Sequence, residues 1–195
     1  MKIMDIQYIE KELEDNFKVR YFKKISSTND YAKDNKVESG TLILADAQTR
    51  GRGKDERVWH TGDGLNIAMT IYTEPNCNID KLEGLTVLIA EKIKGAVKEL
   101  YNLELVIKLP NDLLLNNKKI CGILTETIVE KEIVKKLIVG IGFNVNQDKL
   151  NDEIKETATS LKIETGKEFK REEIIVGICK KLDEMMQKRN EYCDS

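Results

Sequence analysis

LELVIKLPNDLLLNNKKICGILTETIVEKEIVKKLIVGIGFNV, residues 103–145, decides the architecture. Its runs at 103–109, 112–115, 120–128 and 136–145 are rich in Ile, Leu and Val, have strand length, and are parted by polar breaks. Asn116-Asn117 suits a two-residue hairpin, and residues 130–132 supply a second connection. Pro110 cannot donate to a ladder, so the chain must bend between the first two runs. An antiparallel meander is expected.

Upstream, residues 41–47 (TLILADA) and 66–72 (NIAMTIY) read as core strands on either side of a polar, glycine-punctuated loop, and residues 19–25 as a shorter strand. Helical rhythm marks residues 5–16. Ser27 and Asp30 fit a capping box that opens a helix to about Val37. Residues 80–100 carry Leu82, Leu85, Leu88, Ile89, Ile93, Val97 and Leu100 at helical spacing. Residues 171–188 do the same through Ile174, Ile175, Ile178, Leu182 and Met185, before a polar tail at 189–195. The expected fold is α+β, a mixed, largely antiparallel sheet with helices packed on one main face, in a single domain over residues 1–195.

Composition narrows the function. The 32 basic and 34 acidic residues leave a net charge of −2, so no global field draws nucleic acid or an anionic membrane. The longest apolar run, around residues 84–90, is too short to span a bilayer, and residues 1–24 have no signal-peptide core, so a cytoplasmic protein is expected. Cys77, Cys121, Cys179 and Cys193 form no C-x-x-C pair, and His60 is the single histidine; free thiols are expected rather than a zinc site. A Ser-His-Asp triad would depend wholly on His60 in a polar loop.

Three segments carry chemistry. The loop QTRGRGKDERVW (48–59) gathers Arg50, Arg52, Lys54 and Arg57 around Gly51 and Gly53, an anion cradle whose charge Asp55 and Glu56 partly offset. It is no P-loop, since no Gly-Lys-Ser/Thr ends it. Lys108-Leu109-Pro110-Asn111-Asp112 bends between strands and is followed by Lys118-Lys119-Ile120-Cys121-Gly122-Ile123-Leu124. Asn111 and Asp112 there are also ordinary turn formers. Gly140-Ile141-Gly142-Phe143-Asn144-Val145-Asn146 ends an apolar strand with two asparagines, and its glycines allow a flat ligand to approach, although turn formation explains the asparagines as well.

Together with Ser26-Ser27-Thr28-Asn29 and Ala158-Thr159-Ser160-Leu161, these segments in this order resemble the catalytic domain of biotin–protein ligases. The resemblance implies the class II synthetase-like, biotin–lipoate ligase fold. It implies ATP and Mg²⁺ as cofactors, biotin as substrate, and a biotin carboxyl carrier protein as acceptor. By the same resemblance Ser27, Thr28, Gln48, Gly51, Arg52 and Lys119 would hold biotin. Arg52, Lys54, Arg57, Trp59, Asn111 and Asn144 would hold ATP and the adenylate. Lys119, Arg52 and Asp112 would be catalytic, with Asp112 a candidate magnesium ligand.

The match has departures: Leu109 stands where relatives usually have Trp, Lys54 where arginine is frequent, and Glu56 where Gly is common. Lys54 lacks the planar fork that grips phosphate, so weaker adenylate retention is expected. The chain offers no room for the helix-turn-helix or C-terminal barrel that relatives often carry, so gene repression is not expected. A homodimer paired through a sheet edge is a further expectation. The rival readings are a lipoate–protein ligase, disfavoured by the G-R-G loop and P-N-D bend, and a non-catalytic sensor of biotin or its adenylate.

Overall fold

The computed structural model describes residues 3–193 and builds the meander as the sequence predicts, with sharper edges. Strands β5 (Val106–Lys108), β6 (Asp112–Leu115), β7 (Lys118–Glu130) and β8 (Ile133–Phe143) pair successively antiparallel. Both tight turns use left-handed backbone: Asn116 and Asn117 at φ 50° and 65°, Lys131 and Glu132 at 48° and 70°. These are the signs at both central positions that a two-residue hairpin needs.

On the other flank lie β1 (Lys18–Phe22), β2 (Thr41–Ala45) and β3 (Ile67–Thr73). The order is β1-β2-β3-β8-β7-β6-β5, and the short β4 (Cys77–Asn78) also pairs β8. Among the described strands only β1 and β2 pair in parallel, a pairing that the sequence does not announce.

Side chains alternate between the two faces of this sheet. Leu42, Leu44, Met69, Ile71, Val139 and Ile141 face the main core, against α1 (Ile6–Leu13), α3 (Leu85–Tyr101) and α5 (Arg171–Cys193). Ile43, Tyr72 and Ile138 point the other way and pack with Ala32 of α2 (Thr28–Asp34). Most helix is therefore on one face, as expected, and one short helix guards the other.

Several expected boundaries move for local reasons. The predicted helix at 80–100 is a 3-10 turn (Ile79–Leu82) and then α3, because Gly84 takes φ 70° between them. Helix α2 stops at Asp34, short of Val37, and β1 ends at Phe22, with Ile25 resuming as a single parallel bridge to Gln48. The last helix runs past Lys188 to Cys193, while Asp194 and Ser195 lie outside the described residues. The short α4 (Leu161–Thr165), capped by Ser160, has no clear periodic signal. Cys77, Cys121 and Cys179 are buried, Cys121 and Cys179 as free thiols, and the side chain of Cys193 is outside the described residues. No helix among the described residues is long and apolar enough to cross a membrane.

Candidate active site

The face that carries α2 has a strip where glycine and alanine leave the sheet bare. Strand register sets Ala68, Gly142, Gly122 and Asp112 in one row across β3, β8, β7 and β6, with Thr70, Gly140 and Leu124 in the next. Glycine and alanine leave open space above the sheet, and the result is a cleft of ≈460 Å³ counted to its open mouth.

Trp59 lies in that space. A Cβ at Gly142 would fall 2.1 Å from its indole Cε2, and one at Gly122 would fall 3.0 Å from Cζ3. The buried indole N–H has no hydrogen-bond partner among the described residues. Asn29 covers the neighbouring glycine, since a Cβ at Gly140 would come within 2.3 Å of Asn29 Oδ1.

Lys119 enters the cleft through a β-bulge. Cys121 pairs Leu113 and Lys119 pairs Leu114, so three residues of β7 face two of β6. The extra residue sends both Ile120 and Cys121 into the main core and puts Lys119 on the same face as Gly122. Lys119 Nζ then sits 2.7 Å from Asp112 Oδ1 and 5.6 Å from the Trp59 ring centroid. Its backbone is fastened by the 158 segment: Lys119 N–H donates to Thr157 O and Thr159 N–H to Lys119 O, both at 2.8 Å.

The 48–59 loop is a small hairpin. Arg52 bridges Val58, Gly53 N–H donates to Arg57 O at 2.7 Å, and Trp59 N–H donates to Gly51 O at 2.8 Å. Gly51 is needed by the loop itself, because a Cβ there would lie 2.4 Å from the Trp59 carbonyl oxygen. Lys54 and Asp55 form the tip, with Asp55 at φ 55°; the Glu56 side chain is outside the described residues.

A run of hydrogen bonds lines the wall. Ser27 caps α2 by accepting from Asp30 N–H. Gln48 Oε1 accepts from Thr28 N–H at 2.8 Å, and Gln48 Nε2 donates to Thr61 at 3.3 Å. Thr70 Oγ1 is 2.8 Å from Thr28 Oγ1 and 2.6 Å from Asn29 Oδ1, and Asn29 Nδ2 donates to Glu126 Oε2 at 2.8 Å. Arg52 donates twice to Glu126, at 2.8 and 3.0 Å, and through Nε to Asp30 at 2.8 Å. Burial works against its charge, but the Glu126 and Asp30 carboxylates outweigh that and hold the guanidinium above its ordinary pKa.

Of the sequence-predicted residues, Ser27, Thr28, Gln48, Arg52, Lys54, Trp59, Asn111 and Lys119 line one cleft. Gly51 shapes the hairpin, and Asp112 stands in the Gly122 row on the cleft face, paired with Lys119. Arg52 is ion-paired with Asp30 and Glu126, at 2.7 and 2.8 Å. Arg57 is exposed and outside the cleft wall. Asn144 is also outside it: its Nδ2 donates to Thr159 O at 2.9 Å, so the carboxamide ties β8 to the 158 segment. Asn111 donates to Ile123 O at 2.9 Å and fixes the bend after the cis Leu109-Pro110 bond. Sequence reasoning passed over Asn29, Thr70 and Glu126 as site residues. Polar side chains at alternate positions on the cleft face of otherwise apolar strands were the available signal.

The chain belongs to the biotin/lipoate A/B protein ligase family, whose profile matches residues 21–144. It is 41% identical over 156 residues to the bifunctional ligase/repressor BirA of Bacillus spizizenii, covering 77% of this chain and 48% of that protein. With BirA of Bacillus subtilis it shares 39% over 160 residues, 80% of this chain and 49% of that one. The chain thus spans about half the length of these curated relatives. Among solved structures, biotin protein ligase from Aquifex aeolicus in complex with biotin and ATP superposes with a TM-score of 0.78 at 32% identity, over 89% of this chain and 72% of that one.

Proposed function

We propose that this protein is an ATP-dependent biotin–protein ligase. One observation carries the reading: a single cleft joins a hydroxyl and amide wall (Thr28, Gln48, Asn29), suited to a cyclic urea, with a lysine that the bulge delivers to its floor. The Aquifex aeolicus relative, solved with biotin and ATP, supports biotin and ATP as its ligands.

In this reading a biotin carboxylate oxygen attacks the α-phosphorus of ATP, the bond to the bridging oxygen breaks, and pyrophosphate leaves. Lys119 stands beside the reacting carboxylate and phosphate, where a flexible point charge can follow charge from attack to mixed anhydride. Lys54, at the hairpin tip in the cleft, and Arg57 on the adjoining hairpin strand meet the phosphates as the loop closes, and Trp59 moves from the floor to wall the adenylate from water. Then a carrier lysine amine attacks the acyl carbon, AMP leaves, and the amine loses its proton.

Asp112 has two tasks in this scheme. It holds Lys119 before substrate arrives, and it offers one carboxylate to a magnesium ion brought in by ATP. The residues present fit that limited role: Asp112 is a single carboxylate on the cleft-face row, and magnesium on nucleotides is commonly held by one or two carboxylates plus phosphates. Magnesium would supply neutralisation of phosphate charge. The acceptor is a biotin carboxyl carrier protein, the compartment is the cytoplasm, and pairing of two copies through a sheet edge is the proposed assembly.

Incubation with Mg-ATP, a carrier domain and either labelled biotin or labelled lipoate tests the assignment. Label from biotin on the carrier lysine is the expected result. Label from lipoate alone would move the protein to the other branch of its family, and tight biotin binding without any transfer would make it a sensor.

A further inference from the structure

We propose that Glu126 is the positioning residue of the cleft: through Asn29 and Thr70 it sets the hydrogen-bond polarity of Thr28, making that hydroxyl an acceptor for a ligand N–H. The inference rests on reading the cleft as a biotin site and concerns how that site tells a cyclic urea from a ligand without N–H groups.

The direction of each bond follows from which groups own a hydrogen. Asn29 Nδ2 faces Glu126 Oε2 at 2.8 Å and Leu124 O at 3.4 Å, and an ionised carboxylate and a carbonyl only accept. The amide is therefore oriented, with its oxygen 2.6 Å from Thr70 Oγ1. Asn29 Oδ1 has no hydrogen, so the single Thr70 hydroxyl hydrogen is spent there. The 2.8 Å contact between Thr70 and Thr28 then takes its hydrogen from Thr28. Thr28 Oγ1 also lies 3.1 Å from Gln48 Oε1, but that oxygen already accepts from Thr28 N–H at 2.8 Å, whereas the shorter contact to Thr70 has no other hydrogen to fill it. Thr28 Oγ1 is left with lone pairs alone toward the cleft.

Arg52 holds Glu126 in this role. One guanidinium nitrogen reaches both Glu126 oxygens, and Asp30 braces the same arginine, so the carboxylate is fixed in place beside the sheet. Glu126 sits in the row after Leu124 on the cleft face, opposite Ile138, so it acts from the second rank rather than on the ligand. Thr28 and Asn29 are 3% and 4% exposed, which leaves little water to rescue a mismatched hydrogen.

An isosteric change should reverse the chain of bonds. In Glu126→Gln the Arg52 donors claim the new amide oxygen and its NH₂ turns to Asn29. Asn29 must then flip, donate to Thr70, and pass the Thr70 hydrogen to Thr28. A donor would then oppose a ligand N–H. Adding Asn29→Asp restores an acceptor-only group between the introduced amide and Thr70, so the double variant recovers the original polarity with the amide and carboxylate exchanged.

Calorimetric titration of biotin, with biotin and ATP KM values and kcat from pyrophosphate release, tests this on the full chain. Glu126→Gln should weaken biotin binding and raise its KM about 10- to 100-fold, with kcat, the KM for ATP and the Tm little changed. The double variant should regain most of the loss, a recovery that a merely structural role would not produce. Wild-type affinity in Glu126→Gln, or a double variant no better than the worse single one, would overturn the proposal. A wild-type protein that binds no biotin would instead overturn the biotin reading itself, and the polarity proposal with it.

Discussion

Trp59 rests on the sheet because nothing projects from Gly142. A methyl group there would lie 2.1 Å from the indole, far inside contact distance, so the ring must move. Trp59 is the one tryptophan of the chain, and its fluorescence reports that position directly. Gly142→Ala is predicted to shift the emission of the ligand-free protein to the red, while unchanged emission would contradict the placement. Lys54 sits in the cleft wall with a point charge where a fork grips phosphate better. Lys54→Arg should slow release of the adenylate several-fold in a single-turnover assay; equal release rates would contradict the expectation that Lys54 weakens retention.

Hairpins and bulges are where the elements carry strain and function. The β7–β8 turn uses Lys131 and Glu132 in left-handed backbone, which costs a residue with a Cβ about 1–2 kcal/mol and glycine almost nothing. Glu132→Gly should therefore stabilise the protein by about 1 kcal/mol, read as a higher urea midpoint at constant slope. The meander and both turns were legible because apolar runs and polar breaks act locally. The 120 bulge was not: Lys119 and Gly122 are three apart, which in a regular strand places them on opposite faces, and only the register of β6 shows the extra residue. The parallel β1–β2 pair was hidden for the same reason, being a choice of partner rather than a local preference. The cleft was legible where motifs cluster in sequence, at 27–28, 48–54 and 119. It was not where the work is done by single residues such as Thr70 and Glu126, which the fold alone brings together.

Across the whole molecule, α5 is fastened to the sheet by a buried pair: Arg171 NH1 lies 2.8 Å from Asp46 Oδ1, with Asp46 fully buried, and Tyr21 donates its hydroxyl to the other oxygen. Arg171→Leu leaves that carboxylate uncompensated and should cost about 3–5 kcal/mol in urea unfolding. Burial, then the bond to Asp46, pushes the Tyr21 pKa from 10.0 up to about 12. A raised folded-state value means that the contribution is complete below pH 10.0 and is lost as pH climbs to about 12. Tyr21→Phe should flatten the alkaline fall in stability over that window, and an unchanged pH profile would contradict it. The central claim is that the cleft activates biotin through Lys119, and pyrophosphate release from Mg-ATP without carrier tests it most directly. The account predicts release that requires biotin and falls about 100-fold or more in Lys119→Ala. Release that ignores biotin, or survives the loss of Lys119, would contradict it.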